Sequence, residues 1–106
     1  MSDIQYLYTN ELVSGVRNLA KRGGNFGRAA SRVNEIIGAI ASRASDPLKG
    51  LQRTNHGEGR IKSCVKYDLP GRSRLVTVQH TKKCILLFAG THDDVDKWLD
   101  SNRGAE

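Results

Sequence analysis

The spacing of apolar residues divides the chain into helical and extended stretches. Residues 4–8, IQYLY, are β-branched and aromatic and predict a short first strand. Leu12, Val13, Val16, Leu19 and Ala20 then recur at helical spacing, behind Thr9 and Asn10 as capping residues. Lys21-Arg22-Gly23-Gly24 ends that helix, with positive charge at its C-terminus and glycine to break the turn. Asn25 is placed to cap a second helix, whose stripe is Phe26, Ala29, Ala30, Val33, Ile36, Ile37, Ile40 and Ala41. Arg28, Arg32 and Arg43 lie off the stripe, and Asp46-Pro47 is the expected stop.

Residues 48–60 are polar and glycine-containing and predict a loop. From Ile61 the period changes to two: Ile61, Ser63, Val65 and Tyr67 on one face, Lys62, Cys64, Lys66 and Asp68 on the other. Pro70-Gly71 marks a turn. Residues 74–80, RLVTVQH, predict another strand with Arg74, Val76, Val78 and His80 on one face. After a turn at Thr81-Lys82-Lys83, CILLFAG is an unbroken apolar run, as a strand buried on both faces should be. Thr91 is placed to cap a last helix, with Asp94 three residues on completing a capping box and Val95, Trp98 and Leu99 as the stripe. The expected fold is α+β, in the order β-α-α-β-β-β-α. It is a small, mainly antiparallel twisted sheet with two N-terminal helices on one face and a short C-terminal helix.

Composition narrows the class. A chain of 106 residues, 26% charged and 38% hydrophobic, fits one soluble domain spanning 1–106. No apolar run approaches the roughly 20 residues of a membrane span, so no membrane partner is expected. MSDIQYLYTNEL lacks the pattern of a signal peptide, and a cytoplasmic location is expected. Net charge is +6, unevenly spread: residues 1–90 carry 15 basic and 6 acidic side chains, residues 91–106 carry 2 and 5. A basic body suits a polyanion, above all nucleic acid, through counterion release, although solubility alone also favours modest basicity. Cys64 and Cys84 stand in strand-like stretches and read as small buried thiols.

Candidate chemistry concentrates in GTHDDVDKW, residues 90–98. The aspartates suit the first turn of a helix, where the dipole favours negative charge. His92 falls between a strand end and a helix start, a rigid base for a side chain suited to proton transfer, and an acid beside it can orient its ring. A metal site is not expected. His56, His80, Cys64 and Cys84 form no HxxxH, CxxC or CxxH pair. Phosphate-binding glycine loops and nucleophile motifs are absent as well. RNA, however, brings its own nucleophile, the 2′-hydroxyl. A histidine can move the proton while Arg or Lys stabilises the phosphorane, and an aromatic such as Trp98 or Tyr67 can stack a base. Lys62, Lys66 and Arg74 are candidates for the charge.

IQYLYTNELVSGVRNLAKRG resembles the opening strand and helix of the RelE/ParE superfamily of type II toxin–antitoxin toxins, and SRLVTVQHTKKCILLFAGTHDDVDKW resembles their closing meander. Within the superfamily the chain resembles RelE/HigB-like mRNA interferases. The resemblance implies that Arg74, at the family's "yRl" position, contacts the scissile phosphate, and that His92 is the acid/base group. It implies that Lys66 is a further catalytic residue, with Lys62 and Trp98 at RNA-binding positions and no cofactor; Arg60 and Arg72 are further candidates for RNA binding. Trp98 stands where the family often has tyrosine, and an indole cannot act as a phenolic acid or base. The implied activity is metal-independent cleavage of mRNA, free or on the ribosome, restrained by a cognate antitoxin protein. The superfamily also implies two alternatives: a ParE-like DNA gyrase inhibitor, or a non-catalytic relative that binds nucleic acid or a partner.

Overall fold

A computed structural model describes residues 4–54 and 59–104. The stripes read above form strand β1 (Gln5–Tyr8), helices α1 (Asn10–Arg22) and α2 (Gly24–Ala41), strands β2 (Cys64–Leu69), β3 (Ser73–Gln79) and β4 (Lys83–Thr91), and helix α3 (His92–Ser101). This is the expected α+β order. Among the described residues no helix is long and apolar enough to cross a membrane.

The four strands form one sheet in the order β1-β4-β3-β2. The last three make the expected antiparallel meander, and β1 lies parallel to β4. Leu12, Val16 and Leu19 of α1 and Ala29, Val33 and Ile36 of α2 pack with Leu69, Leu75, Leu86 and Ala89 on one face. On the other face Val95 and Leu99 of α3 cover Val76, Val78 and Ile61. The central strands are therefore buried on both sides, which explains the unbroken apolar run of β4. Thr9 accepts a hydrogen bond from the Leu12 N–H (3.1 Å) as the cap of α1 and donates one to the Leu87 carbonyl (2.9 Å). One side chain thus starts the helix and ties it to the sheet. Where α1 crosses β4, Gly15 lies so close that a Cβ there would overlap the Ala89 carbonyl oxygen.

Several features depart from the sequence reading. Asn25 does not cap α2. The cap is Gly23, whose left-handed φ of 68° turns the chain in one residue and leaves Asn25 inside the first turn. α2 also stops at Ala41 rather than at Asp46-Pro47. Arg43 takes the left-handed region (φ 59°), and the N–H groups of Arg43 and Ala44 donate to the carbonyls of Ile40 and Ala39. That is a Schellman ending without its usual glycine.

β2 begins at Cys64, not Ile61, because Ser63 has a φ of 62° and leaves the extended region. Ile61 is consequently buried beneath α3 while Val65 packs toward the helices on the opposite face, so the two do not share a face. Lys62 precedes the strand. Finally, Val76 pairs with Phe88 and Thr77 with Leu86, leaving Leu87 as the extra residue of a bulge. Before the bulge Cys84 and Leu86 face the α1–α2 side; after it Ala89 does, and Leu87 and Phe88 both serve the α3 side. β3 ends at Gln79, one residue short of His80, whose N–H donates to the Lys83 carbonyl (2.8 Å) across the turn. Residues 52–54 of the predicted loop run along the outer edge of β2, where the Asp68 N–H donates to the Gln52 carbonyl (2.8 Å).

Both cysteines are free, Cys84 in one core and Cys64 beside the other. Burial pushes the Cys84 thiol up from 9.0 to about 11, against a hydrogen bond with Thr77 that lowers it. The fold therefore binds this proton more tightly than the unfolded chain does, so its contribution to stability is whole below about pH 9 and is lost as pH rises toward 11. The unfolding midpoint is expected to fall with pH across that window, and to fall less steeply in Cys84→Ala. Identical slopes would contradict the assignment.

Candidate active site

The pairing of β3 with β4 sets the site. Ser73 lies opposite Thr91 and Arg74 opposite Gly90, and the His92 N–H donates to the Arg72 carbonyl (2.9 Å). The start of β3 thus runs beside the start of α3, with Arg72 rather than Arg74 directly across from His92. The β2–β3 turn is held against α2 by Gly71. It has a left-handed φ of 69°, and a Cβ there would lie 2.5 Å from the Asn25 Cβ. Thr91 caps α3 as expected, accepting from the Asp94 N–H (3.1 Å). Asp94 does not complete a capping box; its carboxylate lies 3.5 Å from the Arg22 guanidinium at the end of α1.

These contacts leave an open cleft of about 470 Å³ lined by Arg22, Phe26, Arg72, Arg74, Thr91, His92 and Asp93. Three of the sequence candidates, His92, Arg74 and Arg72, meet here. Arg74 is one quarter exposed, with Nε 3.3 Å from Asp68 Oδ1 and Nη1 donating to the Ser73 carbonyl (3.0 Å). His92 is 55% exposed, and its Nε2 lies 3.7 Å from Asp96 Oδ2, one helical turn on. The other oxygen of Asp96 accepts from Arg60 Nη2 at 3.1 Å.

The remaining candidates lie elsewhere. Arg60 does not line the cleft. It binds Asp96 and, through Nη1, Asp100 (3.1 Å), fastening α3 to the segment before β2 and fixing the carboxylate beside His92. Lys66 sits opposite Val76 on β2, on the face of the sheet that carries Arg74, but outside the cleft lining. Lys62 is exposed ahead of β2. Trp98 stacks on Phe88 (centroids 5.3 Å apart, planes 6° apart) and donates from Nε1 to Glu11 Oε2 (2.9 Å). It borders a separate cleft of about 650 Å³ between α1 and α3. Sequence reasoning missed Arg22 and Phe26. Both stand in a stretch, KRGGNF, whose pattern signals only a helix end and a helix start.

Chemically, the cleft offers three guanidinium groups and one imidazole against a single lining carboxylate, Asp93. That set can hold a phosphodiester and move a proton. No group of His, Cys, Asp and Glu able to hold a metal occurs among the described residues, and His56 lies outside them.

No protein-family model and no curated protein sequence matches the chain. Solved structures do. The RelB–RelE antitoxin–toxin complex from Methanococcus jannaschii aligns with a TM-score of 0.59 at 11% identity, covering 87% of this chain and 96% of that one. A copper-bound mutant toxin from Helicobacter pylori aligns with a TM-score of 0.57 at 19% identity, covering 87% and 98%. The DinJ–YafQ toxin–antitoxin complex from E. coli aligns with a TM-score of 0.56 at 10% identity, covering 88% and 97%. The chain shares its fold with these RelE, YafQ and H. pylori toxin structures.

Proposed function

We propose that this protein is the toxin of a type II toxin–antitoxin pair and a metal-independent endoribonuclease that cleaves mRNA in the cytoplasm. The observation that carries the reading is the meeting of His92 with Arg22, Arg72 and Arg74 in one open cleft. In the proposed reaction His92 takes the proton of an RNA 2′-hydroxyl, and the 2′-oxygen attacks the adjacent phosphorus. The bond from phosphorus to the 5′-oxygen breaks, leaving a 2′,3′-cyclic phosphate. The protonated imidazole returns its proton to the departing 5′-oxygen. Arg72 and Arg74 stabilise the added charge on the phosphoryl oxygens, where fixed guanidiniums act most strongly. Asp96, oriented by Arg60, steadies the imidazole in both states.

A cognate antitoxin is the proposed partner. The M. jannaschii and E. coli structures of this fold are toxin–antitoxin complexes, and a basic, open cleft suits an acidic inhibitor segment. The purified chain is expected to cut RNA in the presence of EDTA, on or off the ribosome, leaving 2′,3′-cyclic phosphate and 5′-hydroxyl ends. Intact RNA together with gyrase-dependent DNA breaks in expressing cells would replace this reading with gyrase inhibition.

A further inference from the structure

The cleft holds an aromatic ring that the proposed chemistry does not use. Phe26, in the first turn of α2, is only partly buried and forms one wall of the cleft. The guanidinium of Arg22 lies over its ring, 5.7 Å from the centroid. Among the described residues Arg22 has one other partner, Asp94, at 3.5 Å, and both side chains are substantially exposed. An ion pair of that kind contributes little, so Arg22 can exchange the carboxylate for a phosphate at small cost. Of the two aromatics expected from the sequence to stack a base, Trp98 has its indole against Phe88 and its N–H on Glu11, beside a different cleft, and Tyr67 is buried with its hydroxyl accepting from Gln79 Nε2 (2.7 Å).

Resting on the ribonuclease reading, we propose that Phe26 is the base-stacking wall of this site, and that the chain takes single-stranded RNA with one base splayed onto that ring. Three observations carry it. The ring shares the cleft with Arg72, Arg74 and His92, so base and phosphate of one nucleotide meet the ring and the cations together. The volume of about 470 Å³ falls within the roughly 300–1,000 Å³ usual for small-molecule sites. A partly buried ring overlaid by a half-exposed guanidinium is a surface on which unpaired bases stack, and a base paired within a duplex cannot reach it. Phe26 thereby selects strandedness, and Arg22 closes over the bound base while pairing with a flanking phosphate.

The test is binding of a short, uncleavable 2′-O-methyl oligoribonucleotide carrying 2-aminopurine, at one fixed salt concentration. Phe26→Leu is expected to weaken single-strand binding by about 10- to 100-fold, with no change in the weaker binding of the matching duplex. Phe26→Trp is expected to bind within a few-fold of the wild type and to lose indole fluorescence on binding, beyond the background from Trp98. Undiminished binding by folded Phe26→Leu, or no added quenching in Phe26→Trp, would overturn the stacking role even if the wild type cleaves RNA. Tight, Phe26-dependent binding by a wild type that never cleaves would keep the stacking role and sink the ribonuclease reading. A wild type without affinity for the oligonucleotide would sink both.

Discussion

His92→Ala is expected to slow RNA cleavage by about 10²- to 10⁴-fold, the usual worth of a positioned acid/base group, while the protein stays folded. The side chain is more than half exposed, and among the described residues its one polar contact is the 3.7 Å approach to Asp96. Its loss therefore removes little packing, and the cap of α3 rests on Thr91 rather than on His92. Arg74→Lys is the informative companion. It keeps the charge but not the planar fork that meets two phosphoryl oxygens, so turnover should fall with substrate affinity largely kept. The measurement is the rate of cleavage of end-labelled RNA at saturating enzyme, paired with a thermal melt. Wild-type rates in His92→Ala would remove the histidine from the chemistry and with it the proposed reaction.

Gly15→Ala should be the most damaging small substitution in the chain, costing about 3 kcal/mol or more. The added methyl meets the carbonyl oxygen of Ala89 on the central strand. A backbone atom cannot step aside by changing rotamer, so α1 must lift from the sheet and open the core around Leu12, Val16 and Leu86. Gly38→Ala provides the contrast. It is also helical, with nothing within 4 Å of the added Cβ, and should stabilise the fold by about 0.5–1 kcal/mol through helix propensity. Urea unfolding of the two variants reads the difference. Equal midpoints would mean that α1 and β4 are not packed backbone to backbone.

Much of this architecture is written in periodicity, and the exceptions have local causes. Thr9 and Thr91 were legible as caps because a hydroxyl before an apolar stripe has one economical use. Two boundaries that escaped detection, the end of α2 and the start of β2, depend on left-handed residues that are not glycine, Arg43 and Ser63, which carry no compositional mark. The bulge at Leu87 hides inside a run apolar on both faces, where a shift of phase leaves no polar residue out of place. The site divides in the same way. His92, Arg72 and Arg74 were accessible because strand register brings them together. Arg22 and Phe26 reach the cleft only through the tight joint at Gly23 and the seat of Gly71 on Asn25, both of them tertiary facts. Arg60 and Trp98 looked equally available in the sequence, yet their hydrogen bonds to α3 and to α1 commit them elsewhere.

The parallel pairing of β1 with β4 also bears on how the molecule comes to be active. Both the helical pair and the meander can form from contacts close in sequence, but the Thr9–Leu87 bond spans 78 residues. Closing that loop is the slow, non-local step of such a topology. The cleft draws one wall from the α1–α2 joint and the other from the β3–β4–α3 junction, so it exists only once the two halves have docked. A half-assembled chain has neither wall opposite the other, and enzymatic activity should switch on with the final docking event rather than rise gradually as secondary structure accumulates.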